Sequence, residues 1–205
     1  MPERVAGFFL RRERISAPNQ ERAFSYENEK TRRSFSVWYD NATKEYIGKV
    51  VVGLTEFCDI DYIAAKAVNL EELIQERLQE RLLSLANFAE KYAEHEFLQK
   101  KILQWAYIEK LPAEICGFEL FIAPNAPVKV VNGSYIIIDY SDFERASALI
   151  IYYNIFRDEF FGELKIKRTP VTTTEFDAKT LPELAEKLKL HLNASLSSLR
   201  EKCGE

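Results

Sequence analysis

Cys58-Asp59-Ile60-Asp61-Tyr62 is the densest cluster of chemically capable side chains in this 205-residue chain. On a strand, Asp59 and Asp61 point to the same side. Two carboxylates so placed suit a divalent cation or general acid–base work. Two acids on an edge strand also have a plainer use, since they discourage pairing with another chain. A second group is aromatic. Tyr39, Tyr152 and Tyr153, together with Trp38, are rings that would line a small-molecule cleft between two halves of the protein, or fill its core as alternating strand residues do. The candidate ligand-binding residues are thus Tyr39, Asp59, Asp61, Tyr62, Tyr152 and Tyr153.

Other carriers of chemistry are sparse. His95 sits between Glu94 and Glu96 with no second histidine four residues away, so the zinc-protease spacing is missing. Glu90, Glu94 and His95 read as a solvated charge cluster, and His191 as a residue of the last helix. No glycine-rich phosphate loop and no GxSxG elbow occurs. No catalytic residue, metal ligand or cofactor is therefore assigned. Cys58, Cys116 and Cys203 are odd in number and far apart, which predicts reduced thiols and a cytoplasmic location. Phe8-Phe9-Leu10 is too short for a signal peptide or a membrane span. The net charge of −4 gives no general attraction to nucleic acid or anionic lipid. Three basic groups still allow a local nucleic-acid patch: Arg11, Arg12 and Arg14; Lys30, Arg32 and Arg33; Lys165, Lys167 and Arg168. Trp38 and Tyr152 are available there for base stacking.

The elements that must position these groups are written twice. Ser34 to Gly48 (SFSVWYDNATKEYIG) aligns without a gap on Ala148 to Gly162 (ALIIYYNIFRDEFFG). Tyr39 falls on Tyr153, Asp40 on Asn154, Glu45 on Glu159 and Gly48 on Gly162. Each copy reads as a hairpin, a third short strand and a capped helix, with the same residues facing the same way along the second strand. Ala67-Val-Asn-Leu-Glu-Glu-Leu73 is then set on Ala178-Lys-Thr-Leu-Pro-Glu-Leu184, with Asn69 and Thr180 as N-caps and Glu72 and Glu183 three residues on. That register puts Pro170 and Thr172 opposite Asp59 and Asp61, so the second copy does not repeat the acidic pair.

On these motifs, and on the aromatic Tyr46 and Phe160 of each second strand, the unit resembles HicB-like antitoxin domains. The resemblance implies a hairpin, a third strand and a helix with a Thr-Leu-Glu-Glu-like start, and an antitoxin-like, nucleic-acid-associated role. It is an analogy of fold, from which activity does not follow.

The expected fold is α+β: a mainly antiparallel sheet with helices on one face and an internal duplication of a β-hairpin–(β)–α unit. Apolar spacing places helices at 70–93, 95–110 and 180–202. The expected divisions are an N-terminal arm (1–33), a first unit (34–94), a connecting helix and hairpin (95–145) and a second unit (146–205), all in one compact domain. Strand 148–156 is apolar on both faces and should be central, whereas Ser34 and Ser36 place the first copy's strand near an edge. The function that fits best is a non-catalytic interaction or assembly protein, with a protein partner or self-association as a homodimer. The alternatives are an enzyme using Asp59 and Asp61 with a metal or small molecule, and a nucleic-acid-associated or HicB-like antitoxin factor.

Overall fold

The computed structural model describes residues 1–204 and all of their side chains except that of Tyr92. The fold is α+β and duplicated, but it contains two sheets, one in each of two compact units, residues 1–87 and Phe88 onward. One compact domain is thus replaced by two units.

The first unit has seven antiparallel strands: β1 (Arg4–Val5), β2 (Phe8–Arg11), β3 (Ile15–Ala17), β4 (Gln20–Asn28), β5 (Arg33–Asp40), β6 (Glu45–Val52) and β7 (Thr55–Ala64). Their order is β1-β2-β4-β5-β6-β7, with β3 beside β4. Residues 1–33 therefore form no arm. They supply four strands, opened by a two-residue turn in which Ala6 and Gly7 both take positive φ. Because β4 pairs with β5, β5 is an interior strand despite its two serines. Helix α1 (Ala67–Ala86) follows β7 and buries Leu70, Leu78, Leu82 and Leu85.

Helix α1 begins one turn earlier and ends sooner than its apolar spacing predicts. Its N-cap is Lys66, which makes no side-chain cap, and Asn69 lies inside the first turn. Its end is set by tertiary contact. Arg33 Nη1 donates to the carbonyls of Leu85 (2.7 Å) and Ala86 (3.3 Å), a cation on the negative end of the helix, and Asn87 is extended.

The second unit comprises α2 (His95–Gln99), β8 (Glu114–Ile115), β9 (Phe118–Ile122), β10 (Val128–Lys129), β11 (Ser134–Asp142), β12 (Ser147–Asn154), β13 (Glu159–Ile166), β14 (Thr169–Ala178) and α3 (Leu181–Gly204). The order β14-β13-β12-β11-β9-β8, with β10 beside β11, repeats the first sheet strand for strand. Residues 95–145 are thus more than a connector, since β8 to β11 of the second sheet lie within them. The helix expected at 95–110 is only α2 followed by 3-10 turns. Its apolar residues cap the core instead, with Phe97 stacked on Tyr135 at 4.0 Å. Strand β12 is central and buried along its whole length, and Leu149, Ile151 and Tyr153 join the α3 leucines in one cluster. Thr180 and Glu183 form the expected cap: Thr180 Oγ1 accepts from the Glu183 N–H, and Glu183 Oε2 accepts from the Lys179 N–H.

The duplication extends to single hydrogen bonds. Tyr26 Oη donates to the Pro2 carbonyl at 2.6 Å, and Tyr140 Oη to the Pro112 carbonyl at 2.7 Å. Asp40 Oδ1 accepts from the N–H groups of Ala42 and Thr43, as Asn154 Oδ1 does from Phe156 and Arg157. Leu70, Leu78, Leu82 and Leu85 fall on Leu184, Leu192, Leu196 and Leu199, so the helices match three residues away from the Asn69–Thr180 alignment. In the corrected register Asp59 and Asp61 lie over Thr173 and Glu175, as the strand pairs Gly48–Asp59 and Gly162–Thr173 require.

Candidate functional site

Asp59 and Asp61 do not share a face. The β6–β7 ladder slips between Ile47 and Gly48: Ile47 pairs with Ile63 while Gly48 pairs with Asp59, leaving residues 60–62 as a bulge. The bulge reverses the alternation. Asp59 is buried, Asp61 is exposed and Tyr62 turns inward. Asp59 Oδ2 lies 2.7 Å from Arg81 Nε, although the N–H is not aligned as a hydrogen bond, and Asp59 Oδ1 accepts the Asp61 backbone N–H. The two-carboxylate face is thus split into an internal ion pair and a surface acid.

Tyr62 packs edge-on against Phe35 at 4.8 Å, and its hydroxyl finds no partner among the described residues. Burial, followed by the charge of Asp59, pushes its pKa up, so it stays a neutral phenol. The second unit carries Phe176 at this position. Tyr62→Phe is expected to leave stability unchanged or raise it by about 1 kcal/mol, because a stranded donor is replaced by an apolar ring. Urea denaturation checks this, and a loss above about 1 kcal/mol would show that the hydroxyl is satisfied.

The other candidates are dispersed. Tyr39, in the first unit, tilts against Tyr46 at 5.0 Å. Tyr152 and Tyr153 follow each other on β12 and so face opposite sides of the second sheet. Tyr152 stacks on Phe161 at 4.9 Å. Tyr153 donates to Asp158 Oδ1 at 2.8 Å beneath the Lys100 ammonium. His95 is exposed, with Nε2 2.8 Å from the Gln99 amide nitrogen. Cys58 and Cys116 are exposed free thiols, and buried Cys203 lies against Ser147 Oγ at 3.0 Å. The basic groups are broken up as well: Arg33 is held at the end of α1, and Lys165 is buried beside Glu163. No group of three or more His, Cys, Asp and Glu side chains able to hold a metal gathers among the described residues.

Two features escape a reading of the sequence. The first is Asp139, fully buried in the middle of β11. Its Oδ1 accepts from Ser141 Oγ at 2.6 Å, while Oδ2 has no hydrogen-bond partner among the described residues. Burial raises its pKa to about 7 against the opposing pull of Ser141 and Lys165. One acid inside Tyr135-Ile-Ile-Ile-Asp-Tyr140 is the signal that marks it.

The second is the free edge of the first sheet. Strand β7 has no neighbour beyond it, and Ile60 and Ile63 on it are 66% and 42% exposed, with Val68 at the start of α1 57% exposed. The matching positions of the second unit hold Thr174, Asp177 and Pro182. Strand β14 also carries Pro170, which lacks a backbone donor, where β7 has Glu56. At matching positions the first edge is thus the more apolar, Ile60 and Ile63 standing where the second has Thr174 and Asp177, while β14 exposes Val171 (41%) and β7 exposes Glu56 and Asp61. Beside the open edge, β7 and α1 border a groove of about 430 Å3 lined by Ile63, Ala65, Asn69, Leu73, Glu72 and Glu76.

No helix among the described residues is long and apolar enough to cross a membrane. Comparison with known protein families, with curated proteins and with solved structures yields no match.

Proposed function

We propose that this chain is a non-catalytic interaction protein that docks another polypeptide along the edge of its first sheet. The observation that carries the reading is the contrast between two copies of one edge. The second unit's edge strand holds Pro170, Thr174 and Asp177 where the first holds Glu56, Ile60 and Ile63, and at the head of the helix that follows Pro182 stands where Val68 is exposed. Unpaired strand edges offer a row of backbone donors and acceptors that a second chain can complete, and natural proteins normally blunt them. Here both edges carry acids and a bulge, but only the first presents isoleucines at the positions where the second presents Thr174 and Asp177. The divided carboxylates and the scattered tyrosines favour no catalytic alternative.

The test borrows the second unit's own residues. Full-length protein is purified from its native cells, its stoichiometric associates are identified by mass spectrometry, and its mass is measured by sedimentation. The expected result is a defined complex, with a second copy or with one identified protein, that is lost in Ile60→Thr/Ile63→Asp/Val68→Pro. A strictly monomeric chain without a stoichiometric associate would overturn the proposal, as would a complex indifferent to the triple change.

A further inference from the structure

We infer that the occupant of this edge is an extended segment in which apolar residues alternate with lysine or arginine; the inference rests on the docking role proposed above. A strand laid against β7 obtains its ladder from backbone groups, which do not select a sequence. Selection must come from the side chains beside the ladder. On the apolar side these are Ile63 and Leu73, which line the groove. On the charged side, Glu72 and Glu76 stand one turn apart on α1 and both line the groove, while Asp61 is exposed on the bulge. None of the three forms an ion pair among the described residues, whereas Glu56, further along β7, is already held by Lys49 at 3.5 Å. From Asp61 to Arg77 the basic residues are Lys66 and Arg77, against Asp61, Glu71, Glu72 and Glu76. Lys66, Arg77 and the positive end of α1, about half an elementary charge, oppose a cation, but the four carboxylates outweigh them. An acidic or phosphorylated segment would meet like charge on the α1 wall.

The probes are three capped hexapeptides that alternate valine with lysine, with glutamate or with serine, titrated against the full chain by fluorescence anisotropy at low salt. The lysine peptide is expected to bind about tenfold more tightly than the glutamate peptide, with the difference shrinking as salt screens it. Glu72→Gln/Glu76→Gln should level the three affinities, and Glu72→Lys/Glu76→Lys should invert their order; both pairs are exposed, so the fold is retained. Equal binding of all three peptides by the wild type would sink the charge selection and leave edge docking standing. Binding unaffected by Ile60→Thr/Ile63→Asp would sink both readings. Self-association through β7 with no peptide bound would make a second copy the occupant and overturn the inference.

Discussion

Gly48→Ala is expected to destabilise the first unit by about 3 kcal/mol, near the upper end for overpacking. A methyl group on Gly48 would sit 2.6 Å from the Cβ of Tyr62. Both atoms are placed by backbone, so no rotamer change relieves the contact and β6 or β7 must move. The close approach follows from the bulge, which drives Tyr62 down over the glycine. Gly162 stands at the same place in the second unit, where a methyl would meet the ring edge of Phe176 at 2.9 Å and Thr173 Cγ2 at 3.0 Å. Those are side-chain atoms able to turn, so Gly162→Ala should cost about half as much. Trp38 and Trp105 report on one unit each. Urea denaturation followed by fluorescence in Trp105→Phe and Trp38→Phe backgrounds measures the two costs separately. Equal costs, or a Gly48→Ala loss below about 0.5 kcal/mol, would refute the account of the bulge.

The second large effect depends on pH. With its pKa raised to about 7 in the folded protein, Asp139 keeps a proton that the unfolded chain releases near pH 4. The folded state therefore binds more protons between those values, and stability falls as pH rises through that window. Asp139→Asn removes the titration while keeping an acceptor for Ser141. Relative to wild type, the variant should gain about 3 kcal/mol between pH 4.5 and pH 7.5. Other titrating groups cancel in the comparison. A difference in unfolding free energy that stays flat with pH would show that Asp139 is ionised and paired in the folded protein.

The hairpin of each copy was legible because strand alternation and the gapless Tyr39–Tyr153 and Gly48–Gly162 matches specify register together. What lay on either side was not, for identifiable reasons. The bulge at residues 60–62 inverts the faces of β7, and nothing in Cys58-Asp-Ile-Asp-Tyr62 announces it, so Asp59 and Asp61 were expected on one side. The stop of α1 at Ala86 depends on Arg33, more than fifty residues away in the chain, while Ala89 continued the apolar spacing. One signal of the N-terminal strands does lie in the sequence. Val5-Ala-Gly-Phe8 and Ile115-Cys-Gly-Phe118 are the same type of turn, but the loops that follow differ in length and carry this pair out of step with the rest of the alignment. The exposed edge has no signature in the sequence, because Ile60 and Ile63 are residue types that a buried strand carries equally well.

A trace of the protein's past survives in β4 and β11. Ser25 donates to Glu27 at 2.6 Å, and at the matching positions Ser141 donates to Asp139 at 2.6 Å, so acid and hydroxyl have changed places. Single substitutions connect the two states by only two routes. One passes through a pair of serines and forfeits a charge-assisted bond, about 1.5–3 kcal/mol. The other crowds two carboxylates onto one face of a strand, where each disfavours the other's ionisation. The neutral route is the lower pass. A duplicated unit can thus keep this hydrogen bond while exchanging its two ends, because the bond needs one donor and one acceptor in either order.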